Sequence, residues 1–245
     1  GNLWQESAYG FRYIFARRSL LGLQLVFTIG NFFATLGLTL LAPMILARTG
    51  NNEMVLGTVQ SAGAVGGVVG GLLMSSTGGL RRRIHGVLAG WILGSLFGEA
   101  LLGLGQSLPV WIVASFIFAF FVPLINASNQ SIWQSKVMPD VQGRVFSVRR
   151  MIAIVVVPIA QLLAGPLADQ VFEPAMMPGG NLVPVFGSLV GVGPGGGMAL
   201  ILVIVGLLAA STGLIGYAVR TIRNVEDLLP DHDAVAEGVK GRAPA

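Results

Sequence analysis

The sequence predicts an all-α membrane protein with six transmembrane helices, and three observations carry that expectation. First, 53% of the 245 residues are hydrophobic and only 11% are charged, where a soluble domain carries about 25% charged residues. Mean hydropathy is +0.76. Second, six apolar runs lie at about 19–47, 54–76, 86–104, 110–134, 145–168 and 197–219, each near the length of about 20 residues that a helix needs to cross a bilayer. Third, the basic residues alternate. Of 15 Lys and Arg, all but Arg48 fall before the first run, between the second and third, between the fourth and fifth or in the opening turns of the fifth, or after the sixth. The positive-inside rule then puts both termini in the cytoplasm, which is consistent with an even number of spans, since that places both ends on one side. The net charge of +4 therefore reads as topology rather than as an affinity for nucleic acid. Cysteine is absent, which excludes disulfides and thiolate metal sites. No metal or cofactor is expected.

Residues 1–18 mix Trp4, Tyr9, Phe11 and Tyr13 with arginine, the composition of a helix at the membrane interface that leads into the first span. The chain begins with Gly1, and a segment upstream is expected. In the first run, Asn31 and Thr35 are four apart and share a helix face. Interhelical hydrogen bonding and lining of a path are both open readings for them. The second run carries Gly63, Gly67 and Gly71 at spacing four, a small-residue packing face, with Gln60 and Ser61 as its polar members. A turn with Arg81, Arg82 and Arg83 follows, and His85 is expected at headgroup level. The third run contains Glu99, an acid inside an apolar stretch. Such a group is a candidate for proton coupling; a place near the outer interface is the favoured expectation. In the fourth run Asn126, Gln130, Trp133 and Gln134 recur at spacings of three and four, flanked by Asn129. This density of amides points to a surface that meets a solute. The fifth run opens with Asp140, Arg144, Arg149 and Arg150 and holds Pro158, Gln161 and Pro166. Residues 173–194 read as a Gly/Pro-rich loop against the membrane surface, and residues 224–245 as a disordered cytoplasmic tail.

Gly191, Gly193 and Gly196 match G-x-G-x-x-G, but no βαβ pattern surrounds them, so a nucleotide site is discounted. No nucleophile–base set is evident, which argues against an enzyme.

The segment Trp4, Tyr9 to Ile14, the G-G-L-R-R-R turn and W-Q-S-K-V-M-P-D-V-Q-G-R-V-F-S-V-R-R (Trp133 to Arg150) resemble the C-terminal half of a major facilitator superfamily transporter. They are most similar to the branch of enterobactin exporters and macrolide-efflux proteins. The resemblance implies a 3+3 inverted repeat and a partner N-terminal six-helix half, upstream or on another chain. It implies a bacterial-type cytoplasmic (inner) membrane. It also implies that the first, second, fourth and fifth spans face a path, with the third and sixth outside. Asn31, Thr35, Gln60, Asn126, Asn129, Gln130, Trp133, Gln134 and Gln161 are then path candidates. Arg81–Arg83, Asp140, Arg144, Arg149 and Arg150 belong to a cytoplasmic gate or topology set. The family's gating aspartate is missing from the turn that holds Arg81–Arg83. The function expected is secondary, proton-coupled efflux of an amphipathic small molecule, siderophore, peptide product or drug. A non-transporting anchor or scaffold of a biosynthetic complex is the alternative.

Overall fold

The computed structural model describes residues 3–232, with side chains from residue 8 onward; the interfacial role expected of Trp4 lies outside the described side chains. The described chain is helical and contains no strand. Six helices are long and apolar enough to cross a membrane: Arg18–Arg48, Glu53–Thr77, Arg83–Leu104, Leu108–Lys136, Pro139–Met176 and Gly196–Ala218. These are the first to sixth spans below, and the protein is an all-α, multi-pass membrane protein.

Small residues decide how the spans meet. Lipid tails give helices no hydrophobic reason to associate, so close backbone approach supplies the attraction. Between the second and fourth spans, a Cβ at Gly66 or Gly70 would collide with the carbonyl oxygen of Phe116 or Phe120. Gly63 faces Ser115, whereas Gly71 meets nothing within 4 Å. The expected register of Gly63, Gly67 and Gly71 is thus corrected to Gly63, Gly66 and Gly70, because the contact steps by three and then four residues around the helix. The third span carries a longer stripe: Gly86, Gly90, Gly94 and Gly98 lie against Ser128, Ile125, Phe121 and Phe118 of the fourth.

Two spans depart from the expected bounds. The third contains a π-helical segment, Ser95–Ala100. The fifth starts at Pro139, and another π-helical segment, Leu167–Phe172, carries it past Pro166 to Met176. Residues 173–176 are therefore helix rather than loop, and a short helix, Val183–Val190, occupies the connection that follows.

The N-terminal helix Leu3–Ala16 packs on the start of the fifth span, where Gly10 meets Val148 and the carbonyl of Arg144. At the opposite end of the protein Arg48 donates to the carbonyls of Gly105 (2.9 Å), Gly195 (3.3 Å) and Val190. Beside it, the Glu173 carboxylate accepts from the backbone of Gly195 and Met198 and so caps the sixth span, where unpaired N–H groups favour a negative charge. The positive-φ glycines 191, 193 and 195 fold this loop around Arg48, so the G-x-G-x-x-G match has a structural use.

The expected disorder from residue 224 does not hold for residues 224–232. Val225–Leu228 is helical, and Glu226 accepts from the backbone N–H groups of Arg83 and Ile84, capping the third span. Lys136 donates to the carbonyls of Glu226 and Leu229 and pairs with Asp231 at 2.8 Å. These contacts give the segment a place to order; the rest of the expected tail lies outside the described residues.

Candidate functional site

The first and fourth spans bring Asn31, Thr35 and Asn126 together around a cavity of about 150 Å³, with Trp91, Ser95 and Phe118 completing much of the wall. The cavity forms where one buried apolar cluster gives way to another: Ala34 belongs to the cluster with Trp91 and Ile125, and Leu36 to the cluster with Leu40 and Val205. The Asn31 amide donates to the Phe27 carbonyl at 2.8 Å, which leaves its side-chain oxygen free to accept. Asn126 is exposed and makes no side-chain hydrogen bond within the described residues. The wall is therefore mostly apolar, with a few amides and hydroxyls that can orient a guest, the usual character of a small-molecule pocket.

The third span enters this wall through Trp91, Gly94 and Ser95, contrary to the expectation that it lies outside. Glu99, one turn beyond Ser95, is 0% exposed. Its Oε1 lies against Gly37 of the first span, beside Val205 of the sixth. Neither carboxylate oxygen has a hydrogen-bond partner among the described residues, nor has the buried Ser95 hydroxyl. The expected place at an outer interface, where the side chain could reach water, is corrected: the stripe of glycines seats the third span so deeply that Glu99 is enclosed by the first and sixth.

The polar stripe of the fourth span divides. Asn126 and Gln134 are exposed, while Asn129 and Trp133 are fully buried. The Asn129 amide and the Trp133 indole N–H have no partner among the described residues. Gln130 accepts from Arg149 Nη1 at 2.7 Å. Gln60 of the second span and Gln161 of the fifth are exposed and line no part of this cavity.

The basic candidates also separate. Arg82 pairs with Asp227 at 2.9 Å, and Arg83 donates to the Ser131 carbonyl. Arg81, Asp140 and Arg150 are exposed, and Arg144 sits over the Tyr9 ring. Arg149 is different: its guanidinium lies 5.2 Å from the Trp133 ring, 5.9 Å from Phe146 and 6.0 Å from Phe27. His85 bonds and stacks with Tyr217 rather than standing free at headgroup level. Trp91, Ser95 and Phe118 were not among the expected site residues. The four-residue glycine repeat 86-90-94-98 was the available sign that this span is held close to the fourth.

No family model matches the chain, and no solved structure matches it. The chain is 27% identical over 177 residues to macrolide efflux protein A of Streptococcus pyogenes, and equally to the protein of that name from serotype M6 of the same species. The match covers 69% of this chain and 42% of those proteins, so the chain spans less than half the length of the curated relatives it matches.

Proposed function

We propose that the chain is the C-terminal six-helix half of a major facilitator superfamily efflux transporter of the cytoplasmic membrane, and that its cavity holds part of the substrate. The meeting of Asn31, Thr35 and Asn126 around one apolar cavity carries this reading. Polar groups inside a span are costly unless they serve a partner or a path. The exposed Gln60 and Gln161 support it from the second and fifth spans, since an amide facing lipid would be unsatisfied. The similarity to an efflux protein points the same way. A second six-helix half then covers those amides and closes the path.

Coupling to protons is assigned to Glu99. It is fully buried beside Gly37 and Val205 and one turn from the cavity wall, and an ionisable side chain inside a span is the kind of group that proton relays use. The test uses cells that produce the full-length protein. Accumulation of radiolabelled erythromycin and of naphthylacetate, two probes of opposite charge, is compared with that in control cells. At least one probe is expected to accumulate severalfold less, and the double variant Asn31→Ala/Asn126→Ala is expected to restore it. Glu99→Gln is expected to abolish the response of efflux to an imposed pH gradient. Equal accumulation of both probes in all cells, at equal protein levels, overturns the transport reading.

A further inference from the structure

We propose that the site selects an amphipathic organic anion, its acidic group on Arg149 and its apolar body in the cavity. The proposal takes its biological meaning from the transport reading above. Its basis is a polar column shared by the first and fourth spans. Phe27, Asn31 and Thr35 step by four residues along the first span, and Asn126 and Gln130 by four along the fourth. Asn31, Thr35 and Asn126 line the cavity. One turn further, about 6 Å along the helix axis, Phe27 and Gln130 flank Arg149.

The contacts of Arg149 leave its charge unmet. Its hydrogen-bond partner, the Gln130 amide oxygen, is neutral. The ion pairs among the described residues are Arg82–Asp227 and Lys136–Asp231, and Arg149 belongs to neither. Three aromatic rings surround it, shielding the guanidinium while leaving most of its five N–H donors unused. Beside it, the Trp133 indole N–H is a further buried donor without a partner among the described residues. A guanidinium fork with a neighbouring N–H matches a carboxylate or phosphate, which accepts two parallel bonds from arginine. An ammonium would find no counter-charge in this column.

The test is binding, so it reads the site without needing flux. Full-length protein in nanodiscs is titrated calorimetrically with naphthylacetate and with naphthylmethylamine, which share a ring and differ in charge. The acid is expected to bind about tenfold or more tighter than the amine, the scale of one charge-assisted hydrogen bond. Arg149→Gln is expected to remove that preference, and Arg149→Lys to keep part of it. Because loss of Arg149 could disturb folding, Gln130→Glu is the second variant. It gives the guanidinium an internal partner where the amide now sits, so it is expected to keep the fold and abolish the preference for the acid. Equal binding of acid and amine by the wild type, or undiminished acid preference in Gln130→Glu, overturns the proposal. Nanodiscs of phosphatidylcholine and of phosphatidylglycerol distinguish a free anion from a lipid headgroup. Equal acid affinity in both supports a soluble ligand, and loss of acid binding only in phosphatidylglycerol assigns Arg149 to lipid and overturns it. Arg149-dependent binding without flux would sink the transport reading alone.

Discussion

Glu99 and Gly37 occupy one small volume between the first, third and sixth spans. A Cβ at Gly37 would collide with Glu99 Oε1 and press on Val205 at 3.1 Å. Since Glu99 is fully enclosed, the carboxyl cannot swing into water to make room. Gly37→Ala is therefore expected to destabilise the protein by about 1–3 kcal/mol, the usual cost of overpacking, read as a lower melting temperature in detergent. Glu99→Ala removes the obstructing atoms, so Gly37→Ala should cost much less in that background; additive effects would deny the contact. The same residues mark the limit of what the sequence discloses. Asn31, Thr35 and Asn126 were legible as polar members of apolar helices, because polar residues four apart, Asn31 with Thr35 and Asn126 with Gln130, share a face. The burial of Glu99 was not, since it depends on how the third span seats against neighbours distant in sequence. The fate of Gln130 was hidden for a related reason: only the approach of the fifth span gives it Arg149 as a partner.

Helices in this bundle are held by two devices, small-residue seams and carboxylate caps supplied from elsewhere in the chain. The seam between the second and fourth spans gives a sharp contrast. Gly66→Leu or Gly70→Leu drives a side chain into a backbone carbonyl that cannot step aside, whereas Gly71→Ala meets nothing within 4 Å. The first two changes are expected to lower the melting temperature clearly, and the third to leave it within error. The existence of that seam was legible from its glycines; its register was not, because adjacent glycine pairs at 66–67 and 70–71 allow two faces. The caps were hidden, since Glu173 and Glu226 act across long stretches of chain. Lys136 ties the second cap in place: its side chain is only 4% exposed and holds two carbonyls and Asp231. Lys136→Met should release residues 225–232, at a cost of about 1–3 kcal/mol for the half-buried carbonyl acceptors left behind, seen as faster amide exchange in that segment. Asp231 adds a pH signature. Its hydrogen bond from Lys136 holds the carboxyl below the ordinary aspartate value. The folded state thus binds that proton less readily than the unfolded state, and the contribution is complete above about pH 4 and fades as pH falls through the lowered value. Exchange in the segment should accelerate in acid in the wild type, and this acid dependence should be lost in Asp231→Asn.

Across the whole molecule, burial divides the spans into inner and outer members. The third and sixth are the most enclosed, 61% of their apolar windows being buried, against 17–33% for the others. Composition could not reveal this division, because mean hydropathy does not follow it, at 1.7 and 2.5 for the third and sixth spans against 1.4–2.4 for the others; it follows from the glycine stripe of the third span and from the packing around the sixth. The exposed faces of the second, fourth and fifth spans carry Gln60, Asn126 and Gln161, which suits cover by protein or water better than by lipid. The proposed direction in which the bundle sits, with both ends of the chain in the cytoplasm, rests on a charge count. With Arg48 as the sole basic residue on one side and bound there to three carbonyls, the loops at that end present no free basic side chain among the described residues, and the other end carries the positive charge. These 245 residues contain no cysteine, so the orientation is directly measurable once any cysteine of the proposed second half is replaced. Single cysteines at Asn51 and Asn181, both exposed in loops at the Arg48 end, are expected to react with a membrane-impermeant maleimide in intact cells. One at Gly143, exposed and with nothing within 4 Å of its Cβ position, should react only after the membrane is permeabilised. Labelling in the reverse order would invert the protein in the membrane. It would also move Arg149 from the cytoplasmic mouth of the proposed path to the outer one, so that the anion proposed above would meet the guanidinium on leaving the cell instead of on entering the site.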